Sequence, residues 1–180
     1  LYEHYNLLCP LFMTMQTRVL TRILLRDALK VARIRHYHTA YGQFDIRNVQ
    51  RHAQIIRYRK RYKHRNIHFT MYNAGHIPGS AITVVEAEGK KICYTGDYNL
   101  TKSALMLPAD LDIGDVDYLI TESTYGFRTL PDRDALTKDF LDQVEKTVKQ
   151  GGSVLIPVFA VGRAQEVLMV LAKKKWKIPI

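Results

Sequence analysis

Carboxylates are scarce in this sequence of 180 residues: 17 Asp and Glu stand against 27 Lys and Arg, a formal net charge of +10. A surface so short of negative charge disfavours cationic partners and favours polyanions, of which phosphate backbones are the commonest. Long apolar runs are also missing. No stretch approaches the roughly eighteen uninterrupted apolar residues that identify a membrane span. No charged n-region, apolar h-region and cleavage site open the sequence, so secretion is not expected. Cysteine is rare: Cys9 and Cys93 stand alone and read as buried free thiols of a reducing compartment rather than a disulfide. There is no internal repeat and no low-complexity linker. What remains, with 47% hydrophobic residues, is enough for a core in one domain or in pieces of two.

The basic residues are placed unevenly. Ten fall between Arg33 and Arg65 (Arg33, Arg35, Arg47, Arg51, Arg57, Arg59, Lys60, Arg61, Lys63 and Arg65), with Tyr37, Tyr41, Tyr58 and Tyr62 interleaved. Cations that neutralise phosphates beside rings that stack on bases suit single-stranded nucleic acid. A solvated helix face with inward tyrosines would give the same pattern.

Periodicity places the rest on elements. Val19, Ile23, Leu24 and Val31 predict an amphipathic helix over 18–31 with Thr17 as its cap, and Ile46, Val49, Ala53 and Ile56 a second over 46–58. Alternation predicts a strand over 67–72 and a hairpin from 81–86 and 92–94. A buried strand over 116–121, a helix over 134–149 closed by Gly151-Gly152, a strand over 154–158, a helix over 163–173 and a strand starting at Ile178 come next. From about residue 126 the alternation is that of an α/β unit.

Chemistry concentrates at Ala74-Gly75-His76-Ile77-Pro78-Gly79-Ser80-Ala81 and Tyr94-Thr95-Gly96-Asp97. Here one imidazole and one carboxylate each stand at a strand end beside glycine. A divalent cation needs such donors on a rigid frame. Two more blocks lie downstream: Ile120-Thr121-Glu122-Ser123-Thr124-Tyr125-Gly126, then Gly162-Arg163-Ala164-Gln165-Glu166 after an apolar strand. The last block opens a helix, where backbone amides favour anions, so Arg163 is a candidate phosphate contact. An Arg163–Glu166 pair bracing the helix is the alternative. The Lys-Ser/Thr pair of a phosphate-binding P-loop is missing.

In this order the blocks resemble the β-CASP branch of the metallo-β-lactamase fold, which holds the nuclease subunits of mRNA 3′-end processing, archaeal cleavage factors and RNase J. The resemblance runs from about Pro10-Leu11-Phe12-Met13-Thr14 onward and lapses over the basic stretch between about Arg33 and Asn66. It implies an α/β fold: a partial metallo-β-lactamase αββα sandwich over 1–125, then the start of a β-CASP α/β domain over 126–180. It implies a zinc-dependent ribonuclease with two zinc ions. His76 would ligate one and Asp97 would bridge both. Asp97 and Glu122 would be catalytic, Glu122 by orienting a histidine beyond residue 180 and so lacking a partner here. Ser123, Thr124 and Tyr125 would contact phosphate or simply form a turn. The implied partners are RNA, chiefly single-stranded, and a second copy or a processing complex. The implied location is the cytoplasm of a prokaryote or archaeon, or the nucleus of a eukaryote.

The sequence departs from that family in one respect. The His-x-His-x-Asp-His motif that precedes the Met-Thr block in the family is absent, and only nine residues precede Pro10. His36-Tyr37-His38 has the His-x-His spacing but comes after the block, and continues Thr39-Ala40-Tyr41; it reads as part of a basic loop. Little or no cleavage is therefore expected of these 180 residues alone, as a middle segment or shortened relative of a nuclease. A nonenzymatic RNA-binding or partner-binding relative is the alternative, and a small-molecule hydrolase such as a thioesterase fits the charge and the later blocks less well.

Overall fold

The structure, a computed structural model, describes residues 9–176. Its elements run β1 (Leu11–Met13), α1 (Met15–Ile34), α2 (Gln43–His52), β2 (Ala53–Ile55), β3 (Arg61–His64), β4 (Ile67–Asn73), β5 (Ala81–Ala87), β6 (Lys90–Tyr94), β7 (Tyr118–Ile120), α3 (Arg133–Lys149) and α4 (Arg163–Leu171). The α/β reading holds. Strands β3 to β6 form an antiparallel meander in sequence order, and β7 adds to β6 in parallel. A second, two-stranded sheet pairs β1 with β2 in parallel, with α1 and α2 in the connection.

The sheet's core is small: Ala74, Ile82, Val84, Cys93 and Ala109, with Tyr72, Tyr98, Ile113 and Val116 packed around it. Strand alternation accounts for it, since Ile82 and Val84 share one face of β5 and are buried while their neighbours are less so. Cys93 has no exposed surface, and burial pushes its thiol up from the usual range. Cys9 is exposed, against the expectation that both thiols are buried.

The strand directions bring three loops to one place. Strands β4 and β6 flank the oppositely directed β5, and β7 runs with β6. The carboxyl ends of β4, β6 and β7 therefore lie along one edge of the sheet, and the chain reaches His76, Asp97 and Glu122 within three residues of those ends.

Several elements differ from the sequence expectation. The first helix is capped by Thr14, whose hydroxyl accepts from the Thr17 amide; Thr17 supplies the donor rather than the cap. The helix expected over 46–58 stops at His52, and Ala53 turns extended (ψ 117) to pair with Leu11. Long-range pairing overrides helical spacing there, because it buries Ile56 to 3% exposure and lets its amide donate to Met13 O at 3.0 Å. β7 is short and exposed rather than buried, being the outer strand of its sheet with a neighbour on one side only. Residues 154–158 form no strand: no strand among the described residues lies alongside them, and Leu155 is 94% exposed. The hairpin and the helices over 133–149 and 163–171 are as expected, and the strand expected at Ile178 lies outside the described residues.

Candidate functional site

The loop between β4 and β5 is fixed before any ligand is considered. The amides of His76 and Ile77 both donate to Ser80 Oγ at 3.2 Å, Ser80 N donates to Ile77 O at 3.0 Å, and Gly75 N donates to Asn73 Oδ1 at 3.1 Å. Thr14 and Thr17 hydroxyls donate to Gly79 O at 3.2 and 3.0 Å, which ties the start of α1 to the same loop. On the other side Thr95 N donates to Ile120 O at 3.0 Å, holding the segment that carries Asp97 against the end of β7.

The frame brings the two predicted metal donors together: His76 Nε2 lies 3.7 Å from Asp97 Oδ2. Both are open to solvent, at 44% and 70% side-chain exposure, as donors to an incoming ion must be. An imidazole nitrogen and a carboxylate oxygen suit a borderline cation such as zinc, which takes both at about 2 Å. The set is short, however. No group of three or more His, Cys, Asp or Glu able to hold a metal occurs among the described residues, whereas catalytic zinc usually has about three protein ligands. His36 and His38 lie in the exposed turn after α1 and add nothing to the pair.

The Thr124 hydrogen bond and then the Tyr98 amide hold the Glu122 carboxyl below its usual range, with the smallest contribution from the His76 imidazole. Tyr98 N donates to Glu122 Oε1 at 3.1 Å. The expectation that Glu122 lacks a partner is thus corrected. Its side chain folds back onto its own turn and the neighbouring loop, and those hydrogen bonds favour the ionised form. Ser123 and Tyr125 are exposed turn residues whose carbonyls accept from Gly126 N and Arg128 N, both at 3.0 Å.

Gly162 seats the start of α4 against the His76 loop: a β-carbon there would lie 2.7 Å from Ile77 Cγ2. Arg163 is exposed at the rim of a cleft of about 620 Å3 between α3, α4 and the Asn99–Thr101 segment. It does not pair with Glu166, whose carboxylate instead takes the Arg133 guanidinium and, at 3.2 Å, the Ala104 amide. Position explains this, since Glu166 faces α3 and the 103–106 turn.

The basic stretch is not one surface. Arg59 pairs with Asp110 and Asp112 at 2.6 and 3.1 Å, and Arg61 forks onto Glu86. Tyr58 donates to Ser80 O at 2.8 Å, and Tyr62 stacks on Phe69 while its hydroxyl accepts from Arg57 N. Those tyrosines are structural. Asp110 was not singled out by sequence, yet it also accepts from Asn73 N at 2.9 Å at the root of the His76 loop. Nothing local to its Ala109-Asp110-Leu111 context signals that role.

Residues 1–121 match a metallo-β-lactamase superfamily domain. The chain is 38% identical over 181 residues to "RNase aCSPSF2" of Saccharolobus solfataricus, covering 100% of this chain and 36% of that protein. It is 42% identical over 164 residues to an "RNase J-like protein" of Methanocaldococcus jannaschii (89% and 38%), and 38% identical over 161 residues to "Cleavage and polyadenylation specificity factor subunit 3" of Dictyostelium discoideum (89% and 21%). The chain belongs to the metallo-β-lactamase superfamily, and within it to the β-CASP branch of its relatives. It spans well under half the length of those relatives. No helix among the described residues is long and apolar enough to cross a membrane.

Proposed function

We propose that the chain serves in zinc-dependent hydrolysis of RNA phosphodiester bonds, of the kind used in mRNA 3′-end processing or RNA decay. The observation that carries this reading is the approach of His76 Nε2 to within 3.7 Å of Asp97 Oδ2 at the sheet edge where Glu122 also lies. Zinc held there would lower the pKa of a water and stabilise the charge of an in-line phosphodiester displacement. The protein's own part is positional. His76 and Asp97 are the two metal donors of these residues. Glu122, kept ionised by Thr124 and Tyr98, faces the imidazole electrostatically. Arg163, and the exposed hydroxyls of Ser123 and Tyr125, are the proposed contacts for substrate phosphates. A division at residue 125, with a metallo-β-lactamase part before it and a β-CASP part after it, belongs to the same proposal. So does a role beside a second copy or within a processing complex.

The natural gene product, purified without chelator, tests it. Zinc per chain by elemental mass spectrometry should fall in His76→Ala and Asp97→Ala, and zinc-dependent cleavage of single-stranded RNA should vanish in Asp97→Ala. Cleavage that survives Asp97→Ala would sink the reading. The short donor set favours a second reading, a nonenzymatic RNA-binding relative: RNA binding with neither zinc nor cleavage would establish it. For residues 1–180 alone, two donors predict well under one tightly held zinc and little or no cleavage.

A further inference from the structure

Five arginines line one groove of about 430 Å3 between α1 and α2: Arg18, Arg22 and Arg26 on one wall, Arg47 and Arg51 on the other. Each wall repeats every four residues, which stacks its side chains on one helix face about 6 Å apart. None of the five forms an ion pair with a carboxylate among the described residues. Arg59 and Arg61, by contrast, are neutralised by Asp110, Asp112 and Glu86. Asp27 and Asp45 are the acidic residues of the two helices. Asp45 is engaged by the Gly42 amide at 2.6 Å, and neither lines the groove.

The walls are held in register. Arg18 Nη2 donates to Gln50 O and Gln50 Nε2 donates to Arg18 O, both at 3.2 Å, over the buried Ile46. Like charges gathered in a fixed groove repel one another, and an anionic ligand relieves that repulsion. Guanidinium forks match phosphate oxygens two at a time. The repeat favours a strand over a single phosphate, because successive rungs of each ladder present a fresh fork one helix turn further on.

The groove also points somewhere. Thr14, which caps α1, touches Gly79 O in the loop that carries His76, so the helix starts at the proposed metal site and leads away from it. Arg18, Arg22 and Arg26 then lie about 6, 12 and 18 Å along the helix from that cap. We propose that this arginine groove is a second RNA site, which holds the phosphodiester backbone of the strand running out from the cleavage point. It rests on the ribonuclease reading for the identity of the strand. Its residues, apart from Arg47 and Arg51, fall outside the basic stretch that composition singles out.

Fluorescence anisotropy of a labelled ten-uridine RNA, titrated with the 180-residue chain in chelator, reads the groove without metal or cleavage. The logarithm of affinity falls with the logarithm of salt by about 0.7 per phosphate neutralised on a single strand. Replacing Arg22, Arg26, Arg47 and Arg51 by Gln should flatten that slope by about 3, and should lower affinity at least tenfold at moderate salt. The pair Arg22→Gln/Arg26→Gln should give about half the change in slope, and guards against misfolding of the fourfold variant. Arg59→Gln/Arg61→Gln, which removes as many charges as the pair from already neutralised positions, should stay within twofold of the wild type. An unchanged slope in the fourfold variant, an equal loss in the Arg59/Arg61 control, or no binding by the wild type would overturn the groove. Failure of the ribonuclease reading shows separately, as cleavage that does not need Asp97.

Discussion

Replacing Gly75 by alanine should cost far more than the same change at Gly89, although both have positive φ, +67° and +72°. An alanine forced into the left-handed region pays about 1–2 kcal/mol at either position. At Gly89, in the tip of the β5–β6 hairpin, a β-carbon would meet nothing within 4 Å, so that term is the whole cost. At Gly75 it would lie 2.6 Å from Asn99 O, 2.7 Å from Ala109 N and 2.9 Å from Leu107 O. All three are backbone atoms, and two of them are joined by the Ala109 N–H to Asn99 O bond, so no side chain can swing aside. Overpacking of this kind adds about 1–3 kcal/mol. Urea unfolding followed by circular dichroism should therefore place Gly89→Ala about 1–2 kcal/mol below the wild type and Gly75→Ala about 2–5 kcal/mol below it, with similar m-values. His76 is the next residue, so whatever movement relieves the clash also shifts one proposed metal donor, and zinc uptake by the natural gene product should fall in Gly75→Ala and not in Gly89→Ala. Equal losses of stability in the two variants would refute the packing argument and leave only backbone strain.

Asp110→Ala should destabilise by about 1–3 kcal/mol, since the Asn73 amide and the Arg59 guanidinium lose their acceptor. Its carboxyl is held below the usual range by Arg59 first and by the Asn73 amide next. The stabilisation is therefore fully present above the unfolded value of about 3.9 and is lost as pH falls through the lower folded value. Urea midpoints of wild type and variant should differ at pH 7 and converge in strong acid; a gap that persists there would refute the linkage. Cys93, buried and with its thiol pushed up, should resist a thiol reagent until the protein unfolds, as mass spectrometry of native and urea-treated samples would show. Native labelling at Cys93 as fast as at the exposed Cys9 would contradict the burial.

The meeting of His76 and Asp97 was legible because both sit in short blocks beside strand ends, and strand alternation around Ile82, Val84 and Cys93 fixes where those ends fall. What sequence could not supply was pairing at a distance. The Ile55-Ile56 pair reads equally as the end of a helix or as a strand, and only the approach of Leu11–Met13 decides it. Glu122 and Glu166 show the same limit. Their distant partners, Tyr98 for Glu122 and Arg133 with Ala104 for Glu166, are set by how turns meet rather than by spacing along the chain. Two members of the basic stretch show a related limit: charge counted along a sequence says nothing of the carboxylates that fold onto it, as Asp110 does onto Arg59 and Glu86 onto Arg61. The arginines free of such partners obey helix repeats instead, and Arg18, Arg22 and Arg26 lie before the stretch begins.

The clamp of Thr14 and Thr17 on Gly79 O also bears on the order of events during synthesis. Its two ends are 65 residues apart, whereas β3 to β6 pair with immediate neighbours. Local hairpins close in microseconds, and contacts between distant residues come later. Helix α1 leaves the ribosome well before the β4–β5 loop exists, so its two threonine hydroxyls must wait for the Gly79 carbonyl until the meander has formed. Entropy is no obstacle, since closing such a loop costs only about 0.6 kcal/mol more than closing one of half its length. Nascent chains arrested far enough past β6 for that strand to have left the ribosome should thus already carry hairpins, while the loop that bears His76 takes its final shape last.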